Sequence, residues 1–269
     1  MQLNDKHGVQ WLTFKTLSQH NNLIHGFTTR NGGVSHPPFS SLNMGHSTDD
    51  NPEHVKENYN RILTALDLCD RPKYMTKQVH SNIVRYIGTR SNESVENFID
   101  GEDGLITDRT DITLITYYAD CVPLFFYDPV KSAGGIVHSG WKGTSKQIGL
   151  KAVEKMTQVF GSNPSDIIAG IGPCASGCCY EVDQMVINLF QWMGHELFEY
   201  LTPTTKGKYL IDLKGINHHI MTKAGILSEN IEISSHCTMC ENDVFFSYRK
   251  EKPKSGRMAS IFALKNITK

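Results

Sequence analysis

Apolar residues along this chain follow two rhythms: short dense runs bounded by Gly, Pro, Asn and Asp, and longer stretches in which they return every three or four positions. The runs predict strands at residues 82–87, 104–106, 112–118, 123–127, 132–138, 166–171, 209–211, 231–235 and 257–264, with a further short apolar segment at 23–27. The helical rhythm begins near Asn51-Pro52, where Val55, Tyr59, Ile62, Leu63 and Leu66 share a face. It returns over 145–160 through Ile148, Ala152, Met156, Val159 and Phe160. Thr144 is the expected N-cap of that second helix and Gly161 its stop. Helices are also expected near 183–192 and 213–224, and residues 31–47, rich in Gly, Ser, Pro and His, read as an ordered loop. Strands and helices interleave without a strict βαβ repeat. The expected class is therefore α+β, with mixed β-sheets flanked by helices instead of an all-parallel doubly wound sheet.

Length and charge narrow this picture. With 269 residues the chain can bury a large core yet stays near the upper size of one domain, so residues 1–269 are read as a single domain. The 27 basic and 28 acidic residues leave a formal net charge of -1, which offers no basic field for a polyanion. Nucleic acid is not an expected partner; a small ligand is. Residues 1–11 lack the apolar core of a signal peptide. The most apolar stretch, 117–127, contains Asp120 and is far shorter than the roughly 20 residues that cross a bilayer. A cytoplasmic protein without a membrane segment is expected. Seven cysteines (69, 121, 174, 178, 179, 237 and 240) are an odd number, which favours reduced thiols over a disulfide framework.

Three segments set a soft or borderline ligand at the end of an apolar strand: Gln78-Val79-His80-Ser81, Ala119-Asp120-Cys121 and Val137-His138-Ser139-Gly140-Trp141. Imidazole and thiolate suit zinc, and catalytic zinc sites take three protein ligands and leave a fourth position for water or substrate. Spacing alone does not bring these three together, and each has a rival reading as a core or hydrogen-bonding residue.

The same residues carry a resemblance. The segments are 27–35 (Phe-Thr-Thr-Arg-Asn-Gly-Gly-Val-Ser), Ser41-Leu42-Asn43, Gln78-Val79-His80, Asp103-Gly104, Ala119-Asp120-Cys121-Val122-Pro123, 138–143 (His-Ser-Gly-Trp-Lys-Gly), Gly172-Pro173-Cys174, Tyr180-Glu181-Val182 and Phe246-Ser247-Tyr248-Arg249. In this order they make the chain similar to the bacterial laccase-domain family, also called multicopper polyphenol oxidase-like. Its members are described as purine nucleoside phosphorylases with adenosine deaminase activity. The resemblance implies a layered α/β/β/α sandwich, metal ligands at His80, Cys121 and His138, one zinc ion per chain, and purine nucleoside and phosphate as substrates. Inosine, adenosine, guanosine and methylthioadenosine would give free base and ribose 1-phosphate, which for the last keeps its 5-methylthio group. Departures are small: the family often has Ala-Gly-Trp-Arg-Gly where this chain has Ser139-Gly140-Trp141-Lys142-Gly143, and Asn-Arg where it has Asn58-Tyr59. Lys142 keeps the charge but not a bidentate fork.

A true multicopper oxidase needs a trinuclear cluster and a blue-copper centre, hence roughly ten histidines mostly in His-x-His pairs. The 12 histidines here include no His-x-His, and their one close pair is His218-His219. Copper binding in vitro stays open without being the function.

Roles can be assigned as expectations. A zinc-activated water would attack the purine C6, with Asp120 as candidate for proton transfer to the leaving ammonia or for orienting the neighbouring ligand. Cys121 and His138 are the other catalytic candidates. For phosphate, Arg30 with the backbone of Gly32 and Gly33 is the first candidate pocket and Arg249 the second, against rival readings as solvated arginines. Gln78, read as sharing a strand face with His80, could contact base or metal surroundings. A metal-free hydrolase, with Cys121 as nucleophile and His138 as base, is the alternative. The family's link to peptidoglycan editing would give it an amide of a cell-wall precursor. A binding protein with structural zinc is a third reading, using Cys237 and Cys240 with Cys174, Cys178 or Cys179; the lack of another tight Cys/His pair speaks against it. Gly170-Ile171-Gly172-Pro173-Cys174-Ala175 matches a dinucleotide pattern but runs into a Cys-rich loop instead of a helix. His36, His46 and His54 read as loop and surface residues, and His236 as structural.

Overall fold

The strand Met258–Leu264 shows how the sequence builds the core, because its two faces belong to different layers. Ala259, Ile261 and Ala263 pack on the outer side with the helix Pro52–Ala65, whose Val55, Tyr59, Ile62 and Leu63 form the facing stripe. Phe262 and Leu264 point inward, onto Phe125, Tyr127, Ile136 and Leu105 of a second sheet. Val122, Leu124 and Phe126 of that sheet face outward again, against Ile148, Ala152 and Met156 of the helix Ile148–Phe160 and Ile216 and Ile220 of the helix Leu213–Lys223. The period-2 alternation of strands and the 3.6 period of helices thus generate an α/β/β/α sandwich.

The computed structural model describes residues 1–88, 94–205 and 207–266. One sheet has seven strands in the order Gln2–Lys6, Val9–Thr13, Leu23–Thr28, Met258–Leu264, Thr113–Tyr118, Lys73–Lys77, Glu96–Asp100. The other has six, ordered Ile231–Ile233, Ile168–Ile171, Val122–Asp128, Ala133–Ser139, Gly104–Thr107, Val84–Tyr86. A small third sheet joins Glu181–Asp183, Lys208–Ile211 and Leu201–Pro203. Parallel pairs, such as Lys73–Lys77 with Thr113–Tyr118, sit among antiparallel ones, so the sheets are mixed as the interleaved pattern predicts.

Two helices differ from expectation. The stretch 145–160 is not one helix: Trp141–Ser145 ends, Gln147 takes φ 57°, and Ile148–Phe160 starts afresh before the left-handed Gly161. Thr144 does not cap the second piece. Its hydroxyl is buried against Ser139 Oγ (2.8 Å) and Asn217 Nδ2 (3.1 Å), which pins the first piece to the strand end. The helix expected over 183–192 shortens to Gln184–Asn188, capped by Asp183, and passes into 3-10 turns broken at Gly194. Strands Gln2–Lys6 and Glu96–Asp100 escaped the pattern because they are sheet edges, with few apolar residues to bury. No helix among the described residues is long and apolar enough to cross a membrane.

Candidate metal centre and active-site cavity

Three connections cross from the seven-stranded to the six-stranded sheet at one rim of the sandwich. The loop from Lys73–Lys77 to Val84–Tyr86 carries His80, the link from Glu96–Asp100 to Gly104–Thr107 carries Asp103, and the turn from Thr113–Tyr118 to Val122–Asp128 carries Cys121. His138 arrives from within the six-stranded sheet, at the end of Ala133–Ser139, where its N–H donates to Asp103 O (2.7 Å). His80 (φ 59°) and Asp120 (φ 82°) hold left-handed backbone conformations that are costly for side chains other than glycine. Surrounding hydrogen bonds maintain both bends.

The bend at His80 is held by Asp103. Its carboxylate accepts from the backbone N–H of Val79 (3.2 Å), His80 (3.1 Å) and Ser81 (2.6 Å), from the Ser81 hydroxyl (2.7 Å) and from His138 Nδ1 (2.8 Å). The bend at Asp120 is held by its own side chain, which accepts from Thr238 Oγ1 (2.6 Å) and from the Arg249 N–H (2.7 Å).

As a result His80, Cys121 and His138 present one ligand atom each within 4.8 Å of one another. His80 Nε2 lies 3.9 Å from Cys121 Sγ, and the two imidazoles stand nearly perpendicular with centroids 4.9 Å apart. The donor set fits a zinc-class ion, being borderline nitrogen and soft sulfur in a three-ligand open arrangement. Two further observations support the fit. Asp103 occupies His138 Nδ1, leaving Nε2 with its lone pair free to ligate. Gly140 leaves room, since a Cβ there would sit 2.9 Å from both Cys121 Sγ and His80 Cδ2.

Without a metal the group is strongly polarised. Burial alone would raise the Cys121 thiol, but the charge of His138 and hydrogen bonds from both histidines bring it down to about 6. Burial would likewise lower His138, yet the Cys121 thiolate and the Asp103 carboxylate raise it to about 9. For Asp103 burial is again opposed, by the His138 hydrogen bond first, and the carboxyl drops to about 2. A thiolate–imidazolium–carboxylate row results.

The group opens into a cavity of about 1150 Å³. The aromatic residues Phe98, Tyr117, Trp141, Tyr180 and Tyr248 line it, together with His46, Gln78, Arg249 and Arg257. Arg249 lies 4.7 Å above the Tyr180 ring and Arg257 5.8 Å from the Tyr248 ring.

Of the other expected site residues, Gln78, Asp120 and Arg249 border the cavity, whereas Arg30, Gly32 and Gly33 fall elsewhere. Arg30 does not line the cavity: its guanidinium donates to Ser40 O (2.9 Å), Asn242 O (2.7 Å) and Glu251 Oε1 (2.9 Å) and lies 4.4 Å from the Phe246 ring. Gly32 and Gly33 serve packing, since a Cβ would come within 2.2 Å of Gly8 O and 2.1 Å of Ser41 O respectively. Gln78 lies beyond the end of strand Lys73–Lys77 and does not share a strand face with His80. Its amide clamps both backbone groups of Tyr117 at 2.9 Å. Asp120 borders the cavity, and each of its carboxylate oxygens accepts one hydrogen bond. Asp103 and Arg257 carry no local signal in the sequence, and His46, expected as a loop and surface residue, is exposed and also lines the cavity. Asp103 stood in one of the matching segments, but nothing local distinguishes it from a turn aspartate. Finally, of the partners considered for Cys237 and Cys240, Cys178 and Cys179 do converge on them: the four sulfurs lie within 4.8 Å of one another, and Cys174 stays outside the group.

Fold and site define an α+β sandwich with an open His/Cys/His ligand group at its rim. A family model described as multi-copper polyphenol oxidoreductase laccase matches residues 24–265, and the chain belongs to that family. It is 39% identical over 255 residues to purine nucleoside phosphorylase YlmD of Bacillus subtilis (strain 168), covering 93% of this chain and 92% of that one. The crystal structure of hypothetical protein YfiH from Bacillus licheniformis superposes with a TM-score of 0.90 at 36% identity, over 98% of this chain and 99% of that one. YlmD from Geobacillus stearothermophilus gives 0.90 at 30% identity, over 98% of each. Among the described residues the groups of three or more potential ligands number two, the His/Cys/His set and the four cysteines.

Proposed function

We propose that this chain is a zinc-dependent purine nucleoside phosphorylase that also deaminates adenosine. The carrying observation is the opening of His80, Cys121 and His138 into a cavity with both aromatic walls and two arginines. The name of the Bacillus subtilis relative supports the same reading. A zinc ion held by that set supplies Lewis acidity and lowers the pKa of water towards about 7, the chemistry that deamination requires.

The chain's own residues supply binding and order. Flat rings of Tyr117, Trp141 and Tyr248 suit a purine face. Arg249 and Arg257 replace Arg30 as the groups that hold phosphate, because both residues line the cavity; Arg257 Nη1 already donates to Ser255 O and Gly256 O, which leaves its other nitrogens for the ligand. In phosphorolysis a phosphate oxygen bonds to the sugar C1′ while the C1′–N9 bond breaks. Its electrons go to the purine nitrogen, which takes up a proton. Asp103 keeps His138 in one tautomer, and Asp120 fixes the backbone of Arg249 relative to Cys121. Inosine, adenosine, guanosine and methylthioadenosine all present the groups this reading requires.

Pure, zinc-loaded protein incubated with inosine and phosphate should release hypoxanthine and ribose 1-phosphate, read by chromatography. Absence of both products refutes the proposal. A second reading has a specific observation behind it: Cys121, His138 and Asp103 line up as nucleophile, base and orienting carboxylate, which suits a metal-free hydrolase. Metal analysis separates the two, since an ion on Cys121 Sγ removes the nucleophile.

A further inference from the structure

The segment 174–180 and the turn 237–240 are more than 50 residues apart in sequence, yet their backbones run side by side. Cys174 and Cys237 form a parallel bridge, the Thr238 N–H donates to Cys174 O (3.0 Å), and the Ser176 N–H donates to Cys237 Sγ (3.5 Å). This brings four thiols to one point on the surface. Sγ–Sγ distances are 3.7 Å for Cys178–Cys179, 3.7 Å for Cys178–Cys240 and 3.2 Å for Cys179–Cys240. Cys237 is buried beneath them, and all four sulfurs lie within 4.8 Å.

We infer that Cys178, Cys179, Cys237 and Cys240 form a second, structural metal site that takes one zinc ion as a tetrathiolate. With Zn–S bonds near 2.3 Å a tetrahedron has edges of roughly 3.8 Å, so the observed separations need only small adjustments of side chains on the surface. Bonded sulfurs would instead lie about 2.05 Å apart. The sulfurs are also too close to enclose a cluster of several irons. Cys237-Thr238-Met239-Cys240 has the Cys-x-x-Cys spacing of structural zinc sites. On binding, each thiol loses its proton to solvent as its sulfur joins the ion, and no oxidant or reductant is involved.

The site would brace one wall of the cavity. Asp120 is tied to both joined segments: its carbonyl accepts the Ala175 N–H (3.0 Å) and its carboxylate the Thr238 hydroxyl (2.6 Å). Tyr180, one residue beyond Cys179, lines the cavity under Arg249. The ion would therefore act on substrate binding from outside the pocket.

Metal stoichiometry on the whole chain tests this independently of the catalytic reading. Protein prepared in reductant with zinc and then desalted should hold two zinc ions per chain. Cys121→Ser should keep one, and the double variant Cys178→Ser/Cys240→Ser should also keep one. One zinc in the wild type and none in Cys121→Ser overturns the proposal. One zinc in both would sink the His/Cys/His centre and leave this site standing. Because the double variant can misfold, wild-type protein loaded with cobalt gives a second measure. Its near-ultraviolet thiolate-to-cobalt absorption should correspond to the four clustered thiolates together with Cys121, and single-thiolate intensity overturns the site. A disulfide among these cysteines in zinc-loaded protein, seen by mass, overturns it as well.

Discussion

Asp103→Asn removes one charge and nearly no volume, and its effect can be worked from the five hydrogen bonds the carboxylate accepts. Three of them, from Val79 N–H, Ser81 N–H and the Ser81 hydroxyl, end on Oδ2, so the amide oxygen of Asn takes that place. The NH₂ then faces the His80 N–H and His138 Nδ1, where Oδ1 accepted. The first contact becomes donor against donor. The second is relieved only if His138 moves its proton to Nε2, the nitrogen that must ligate. Hydrogen bonds to a charged acceptor are each worth about 1.5–3 kcal/mol, so losing two predicts roughly 3–6 kcal/mol spread between fold and site. Partners of this kind cost about 10–100-fold in metal affinity when removed. Zinc affinity of Asp103→Asn, measured by competition with a chelating dye, should fall by that factor, whereas Ser81→Ala, which keeps the carboxylate, should lose at most about tenfold. Equal zinc affinity in Asp103→Asn and wild type would show that Asp103 does not set the His138 tautomer.

Three other outcomes follow from the geometry. Buried His25 accepts the Phe14 N–H at Nε2 (2.8 Å), and burial lowers its pKa from 6.5 to about 4. The unfolded chain therefore takes up the proton first as pH falls. Stability present above pH 6.5 should be lost down to pH 4, by about 3 kcal/mol at about 1.4 kcal/mol per unit. Denaturant titrations across that range check it, and His25→Gln should flatten the slope. Arg249→Ala and Arg257→Ala should each raise KM for phosphate about 10–100-fold, while Arg30→Ala, which severs a packed ion pair, should lower the melting temperature and leave that KM unchanged. Gly140→Ala places a methyl 2.9 Å from Cys121 Sγ and should remove the rim zinc, leaving only the ion of the cysteine cluster, at a stability cost of about 1–3 kcal/mol, read by metal analysis beside thermal melting.

The ligand chemistry was legible in the sequence because His80, Cys121 and His138 each follow an apolar run, but their convergence was not. It depends on where the chain changes sheets, and no local pattern reports that. Arg30 was misplaced for a related reason. An arginine beside two glycines looks like an anion nest, yet Glu251, 221 residues away, and two backbone carbonyls take its donors. The cysteine cluster was named as a candidate and set aside, because its halves meet through the parallel bridge at Cys174 and Cys237, which no local spacing reports. Helix Pro52–Ala65 and most inner strands were readable because burial enforces their periodicity, although Val9–Thr13 and Lys73–Lys77, also inner strands, were missed. The edge strands Gln2–Lys6 and Glu96–Asp100 and the break at Gln147 were not, since the edges offer few apolar residues to bury and the break answers to the Ser139–Thr144–Asn217 contacts.

Placing ligands on crossings between sheets links metal binding to the sandwich itself. His80 and Cys121 each stand where a strand of one sheet hands over to the other, and the inner layer of Phe125, Tyr127, Ile136, Phe262 and Leu264 sets the distance between those sheets. An ion spanning His80, Cys121 and His138 can bind only when that layer is packed, so it binds the folded chain and not the unfolded one. The stabilisation is then RT ln(1 + [L]/Kd), about 4 kcal/mol at a free concentration 1,000 times Kd. For a chain of this size each kcal/mol moves the midpoint by roughly 2–4 °C, so stripping the ion should lower the melting temperature by about 8–16 °C. In Cys121→Ser the component due to this centre should vanish, leaving only what the cysteine cluster contributes. Thermal melts of both proteins with and without chelator measure the difference. Identical chelator shifts in the two would mean that the rim group does not hold a metal in the folded chain.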